Sequence, residues 1–149
     1  MDYRQNLVED DPGVADLIRS SRRVAVLGIK TEAQADQPAF YVADYLAKAG
    51  VDVIPVPVYY PEVKQILGRP VFRRLADVPP PVDLVDVFRR PADIPQHVED
   101  ILALRPRAVW FQLGIRHDEA ARALAEAGIL VVQDRCLMVD WQRFGGRNG

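Results

Sequence analysis

The stretch from Arg22 to Tyr41, RRVAVLGIKTEAQADQPAFY, constrains the fold more than any other part of the chain. Val24, Ala25, Val26 and Leu27 form an apolar run with no polar break. Such a run suits a central strand of a parallel sheet, covered on both faces. Gly28 ends it, where the backbone must turn sharply or approach a ligand closely. A loop of small and polar residues follows, and Pro38 then fits the first turn of a helix. Ala39, Val42, Ala43, Leu46 and Ala47 recur at helical spacing until Gly50. A strand, a glycine turn and a helix N-terminus make an anion site, because free amides and the positive dipole end converge there. The pattern predicts a bound pyrophosphate at that spot, around Gly28, Ile29, Lys30 and the helix start at Pro38.

The rest of the chain repeats the strand–helix alternation. Asp11-Pro12 reads as the cap and first residue of a short helix with the stripe Val14, Leu17, Ile18. Residues 51–56 read as the second strand, with Pro55 and Pro57 marking its carboxyl end. A short helix is expected around residues 62–66, a turn at Gly68, and a stiff connector at prolines 79–81. The third, fourth and fifth strands fall at residues 84–88, 108–112 and 129–132. The helices between and after them carry the stripes Ile94, Val98, Ile101, Leu102 and Ala121, Leu124, Ala125, the second capped by Asp118, and a last helix spans residues 136–144. No composition shift or repeat divides the chain, so residues 1–149 are expected to form one domain. Residues 1–21 form an N-terminal helix and extension, and residues 145–149 a frayed tail. The expected fold is α/β: a single Rossmann-like domain with a five-stranded parallel sheet, helices on both faces, and strand order 3-2-1-4-5. Ligands bind such sheets past the carboxyl ends of the strands, beside strand one.

Charge and residue usage narrow the function classes. The net charge is −2, and the arginine pairs at 22–23, 73–74 and 89–90 are not interleaved with stacking aromatics. That argues against a nucleic-acid partner. No apolar run approaches the roughly 20 residues of a membrane helix, and the acidic start MDYRQNLVEDDPG is no signal peptide. A cytoplasmic setting follows as the expectation. One cysteine excludes an internal disulfide, and with two distant histidines no metal-ligand cluster is expected.

The ends of strands two and three say which nucleotide. A nicotinamide site places Asp or Glu after the second strand to hold the ribose. Here that position reads Ile54-Pro55-Val56-Pro57-Val58, and Asp52 lies at the wrong end. Pro55, Val56, Pro57 and Val58 would make an apolar rim for an adenine face. Arg89-Arg90 follows strand three, and arginine forks bind phosphate oxygens, although a solvated loop pair is the alternative. Ile94 and Gly114 lie in two of the ligand-facing windows after the strands, residues 88–94 after strand three and 112–116 after strand four. An adenine, a pyrophosphate and a further phosphate describe coenzyme A.

The runs PVDLVDVFRRPADIP (81–95), AVWFQLGI (108–115) and VVQDRCLMVD (131–140) together resemble the small bacterial and archaeal CoA-binding proteins. These are similar to the nucleotide-binding domain of the succinyl-CoA synthetase alpha subunit. The resemblance spans about residues 23–140 and implies a Rossmann-like CoA site. The family's phosphate loop reads like G-x-S-x-x-x-x-R-P-S-Y. Gly28, Pro38 and Tyr41 keep recognisable places in it, while Lys30 stands where Ser would, Gln37 where Arg would, and the loop is longer. Lys30 could supply the missing positive charge from a different position.

No catalytic constellation is legible. His97 reads as a surface residue, His117 as a cap or surface residue, and Cys136 as a buried, inert thiol or one activated by Arg135. The synthetase's phosphorylated histidine belongs to a second domain with no counterpart in these residues. The expected function is binding of coenzyme A or an acyl-CoA, with no catalysis demonstrable from the sequence. The alternatives are an NAD-type oxidoreductase and a subunit lending its CoA site to an acyl-CoA synthetase. A second copy of the chain or an acyl-CoA enzyme is the expected protein partner. Trp141 and Phe144 are assigned to the core or to a dimer contact. Asp86, inside a strand that should be buried, is expected to pair with Arg89, Arg90, Arg116 or Arg135.

Overall fold

The computed structural model describes residues 2–145. Five parallel strands form the main sheet: β1 (Arg23–Leu27), β2 (Asp52–Val56), and, after an antiparallel hairpin of β3 (Gln65–Ile66) and β4 (Arg69–Pro70), β5 (Leu84–Val87), β6 (Ala108–Phe111) and β7 (Leu130–Val132). Five α-helices accompany them: α1 (Asp11–Ser20), α2 (Pro38–Lys48), α3 (Pro95–Leu104), α4 (Asp118–Glu126) and α5 (Leu137–Phe144). No helix among the described residues is long and apolar enough to cross a membrane. Of the tail expected at residues 145–149, Gly145 caps α5 and the remainder lies outside the described residues.

The alternation of side chains along the strands builds two cores. Ala25, Leu27, Val85, Val87, Val109 and Phe111 face one way, with Ile101 and Leu104 of α3 and Leu124 of α4. Val24, Val26, Leu84 and Trp110 face the other way, with Leu17 of α1, Phe40 and Leu46 of α2, and Leu137 of α5. Helices therefore cover both faces, as expected. Trp141 and Phe144 pack, partly buried, against the second cluster.

The strand order is β2-β1-β5-β6-β7, which is 2-1-3-4-5 and not the 3-2-1-4-5 expected from the sequence. Pro55 gives the physical reason. It lies within β2, opposite Val26, and a residue without an amide proton is tolerated at a sheet edge. The hairpin of the crossover from β2 to β5 lies against that edge: the Phe72 amide, just after β4, donates to the Pro55 carbonyl (3.0 Å), and Arg69 pairs with Asp52. Residues 62–66, expected as a helix, form instead a turn and β3. Helix caps also shift by one residue: Asp10 caps α1, and His117, with Nδ1 accepting from the Ala120 amide (3.0 Å), caps α4.

Two contacts lock β1 to β5. At the amino ends, Asp83 Oδ2 accepts from the Arg22 and Arg23 amides (2.8 and 2.9 Å). At the carboxyl ends, the Phe88 amide donates to the Leu27 carbonyl (2.9 Å), and Gly28 turns with φ +86°. A Cβ on Gly28 would lie 2.3 Å from the Phe88 carbonyl oxygen. Glycine is required there for both its conformation and its size.

Asp86 departs from expectation. It is fully buried between Val26 and Trp110, and neither carboxylate oxygen has a hydrogen-bond partner. None of the four arginines proposed for it arrives. Arg89 and Arg90 meet Asp93, and Arg116 meets Asp118. Arg135 is taken by buried Asp140 (2.7 Å) and by Asp11 (3.0 Å), an arrangement that raises its pKa and ties α1 to α5. Burial alone pushes the Asp86 pKa well above the usual carboxylate value, so the group is carried as a neutral acid.

Two outcomes follow from these contacts. Gly28→Ala should cost about 2–4 kcal/mol, combining left-handed strain with overpacking against the backbone, and chemical denaturation measures it. The Asp86 pKa is higher folded than unfolded. Its stabilising contribution is therefore complete below about pH 4 and is lost as pH rises toward the folded value. The melting temperature of Asp86→Asn should gain on that of the native chain from pH 5 to pH 8. A difference that stays constant with pH would mean an ionised, paired carboxylate.

Candidate functional site

A cleft of about 510 Å³ opens past the carboxyl ends of β1, β5 and β6, next to the point where the strand order reverses between β1 and β5. Four segments build it. The loop after β1 gives Lys30, and the start of α2 gives Gln37, Pro38, Ala39 and Tyr41. The loop after β5 gives Phe88, Arg89, Arg90 and Pro91. The loop after β6 gives Gln112, Leu113 and Ile115, and Cys136 closes the wall ahead of α5.

The loop after β1 is firmly built. The Lys30 amide donates to the Ala39 carbonyl (3.0 Å), folding the loop onto the start of α2. Thr31 and Gln34 form a capping box around a short 3₁₀ turn, and Glu32 accepts from the Leu67 amide (2.8 Å), anchoring the loop to the hairpin. The next helix is left uncapped. Gln37 at the head of α2 makes no side-chain cap bond, and the Ala39 amide, on the cleft wall, has no acceptor among the described residues. An eleven-residue helix thus presents its positive end to the cleft.

The two arginines differ sharply. Arg90 is 81% exposed and pairs with Asp93 at 2.9 Å. Arg89 is only 8% exposed. Its Nε donates to His97 Nε2 (3.1 Å), its NH1 to the Tyr59 hydroxyl (3.3 Å), and its guanidinium lies 5.7 Å from the Tyr59 ring centre. Asp93 sits 3.7 Å from its NH2. Burial, and then the Arg89 charge, hold the His97 pKa below the ordinary histidine value, so the ring is neutral at neutral pH. Lys30, Arg89 and Arg90 line the cleft together with no carboxylate, and Asp93 outside the lining pairs with the two arginines, which leaves the cleft electropositive.

The structure brings five of the expected residues to the cleft: Lys30, Pro38, Tyr41, Arg89 and Arg90. Gly28 lies directly behind, with its absent Cβ position 3.4 Å from Arg89 Cδ. Gly114, at φ +83°, sits between the lining residues Leu113 and Ile115, and its amide donates to Asp134 (2.6 Å). Ile29 and Ile94 are buried at 1% exposure in opposite cores. Pro55 and Val56 are also buried, Val56 packing with Leu75 and Val78, so the expected apolar rim is not at the cleft. The first exposed apolar surface after β2 is Tyr59. His97, read as a surface residue, is a half-buried partner of Arg89. Gln112, buried with its Oε1 accepting from the Leu137 amide (3.1 Å), was reachable only as a member of the window after strand four.

Comparison with known proteins agrees with this architecture. The Bacillus subtilis protein YneT is 30% identical over 126 residues, covering 85% of this chain and 90% of that protein. A Thermus thermophilus protein of known structure superposes with a TM-score of 0.83 at 40% identity, over 91% of this chain and 99% of that one. A Pyrococcus horikoshii protein does so with a TM-score of 0.81 at 28% identity, over 93% and 94%. An acetyl-coenzyme A synthetase of Ca. Korarchaeum cryptofilum shares the fold alone, with a TM-score of 0.65 at 16% identity over 78% of this chain and 27% of that one. Residues 22–142 match the family described as the CoA binding domain, and the chain belongs to that family.

Proposed function

We propose that the chain binds coenzyme A or an acyl-CoA in the cleft past β1, β5 and β6. The observation that carries this reading is the union of three features at one place. These are an uncapped helix N-terminus, an excess of positive charge at Lys30, Arg89 and Arg90, and an apolar wall of Tyr41, Leu113 and Ile115. Phosphates suit the first two and a pantetheine arm or acyl chain the third. Leu113 is 68% exposed and, with Tyr41 and Ile115, gives that wall its apolar surface.

The NAD reading lacks its chief requirement. Pro57, Val58 and Tyr59 follow β2, with no carboxylate among them. Asp52, at the other end of the strand, is occupied by Arg23 (3.2 Å) and Arg69. Arg89 is the better phosphate donor of the pair, because its guanidinium is already held in place whereas Arg90 must be ordered from solvent.

Thermal shift tests this. At a hundredfold excess over Kd, a ligand specific for the native state adds about 2.7 kcal/mol. Coenzyme A should then raise the melting temperature by roughly 5–10 °C, and NAD at equal concentration by less. Arg89→Ala should weaken coenzyme A binding by about 1.5–3 kcal/mol, and Arg90→Ala by less than about 1 kcal/mol. Dephospho-CoA assigns the phosphate: a loss confined to coenzyme A puts Arg89 on the 3′-phosphate, and an equal loss puts it on the pyrophosphate. A larger shift from NAD than from coenzyme A would refute the reading.

A further inference from the structure

Arg89 reaches the cleft with its orientation already set by neighbours that carry no charge. Its Nε–H goes to His97 Nε2 at 3.1 Å, and one NH1 proton to the Tyr59 hydroxyl at 3.3 Å. Asp93, the nearest carboxylate, stands off at 3.7 Å and makes its close contact with Arg90 at 2.9 Å. Arg135 shows the alternative. Asp140 takes both its Nε and its NH2, and Asp11 takes NH2 as well, so that arginine is spent within the fold. A carboxylate in the place of His97 would hold the Arg89 fork equally well and cancel the charge an anionic ligand needs. A neutral imidazole holds the fork and leaves the charge available.

We propose that His97 is a positioning residue of the anion site: its unprotonated Nε2 fixes the Nε–H of Arg89 without neutralising it, so that the guanidinium protons not taken by Tyr59 and most of the positive charge serve a phosphate in the cleft. The role requires the Nδ1–H tautomer of His97, because Nε2 must accept. His97 lies in the first turn of α3, where Ile94, buried at 1% exposure, anchors the helix start and the His97 amide donates to the Ile94 carbonyl (2.9 Å). The imidazole is thereby set on a rigid element and not on the Arg89 loop itself. This inference rests on the coenzyme A reading and extends it to a residue that does not line the cleft.

The test is a titration of coenzyme A into the native chain, Arg89→Ala, His97→Leu, His97→Gln, and the Arg89→Ala/His97→Leu double variant. His97→Leu should lower affinity about tenfold, the scale of one hydrogen bond to a charged group. His97→Gln keeps an acceptor on the side chain and should recover most of that loss, a rescue that a packing role alone does not give. The double variant should bind no more weakly than Arg89→Ala, because His97 acts only through Arg89. Native affinity in His97→Leu, or losses that add in the double variant, would overturn the proposal while leaving the coenzyme A reading intact. Failure of the native chain to bind coenzyme A would overturn both. Long-range ¹H–¹⁵N spectra of the native chain supply a readout free of ligand and of variant folding. The Nδ1–H tautomer at His97 is expected, and the Nε2–H tautomer would overturn the proposal.

Discussion

The site depends on one close approach, that of the Gly28 backbone to the Phe88 carbonyl. Gly28 donates to Val56 on one side (2.9 Å), while Leu27 accepts from Phe88 on the other (2.9 Å). β1 therefore keeps its ladder with both neighbours to its last residue and then turns away. Any side chain at position 28 would separate the loop after β1 from the loop after β5. Those two loops carry Lys30 and Arg89, and the first of them leads into the uncapped head of α2. The separation of the cationic groups from the helix terminus is thus fixed by backbone contact within the sheet. A parallel sheet buried on both faces is well suited to that task, because its strand ends have little freedom to move independently.

Charge is distributed by the same economy of space. Arg135 is paired within the fold, where its bonds to Asp140 and Asp11 join α1 to α5. Arg90 lies mostly in solvent. Of these three, Arg89 is the one that is both enclosed and held largely by neutral partners. Asp86 completes the contrast: a carboxyl group in the second core with no cation, kept neutral by burial. An ionised group in that position would carry a large desolvation penalty without a compensating partner.

The sequence carried the strands and most helices because each is a short apolar run or a 3.6-residue stripe closed by glycine or proline. That Lys30, Arg89 and Arg90 line the cleft was legible because cleft-lining residues of such sheets follow strand ends, which can be read locally, and Pro38 and Tyr41 because a proline marks the start of the helix that faces the same spot. Non-local features were not legible. Pro55 marks an edge position for β2 when it lies inside the strand, but the local pattern reads it equally well as a strand end, which carries no information on strand order. The hairpin strands are two residues each, too short for a period-2 pattern to distinguish from a helical turn. The partners of Asp86, the burial of Pro55 and Val56, and the pairing of His97 with Arg89 depend on which side chains arrive from distant segments. Neither composition nor spacing records that.

The central claim is that the anion and apolar features of one cleft form the coenzyme A site, and mapping of amide chemical shifts during a titration with coenzyme A tests it most directly. The account predicts the largest perturbations at Lys30, Ala39, Tyr41, Arg89 and Leu113, with the Ala39 amide moving downfield as it gains an acceptor. Perturbations centred instead on the polar depression formed by Leu7, Val131, Gln133 and Arg135, with the start of α2 unchanged, would contradict it.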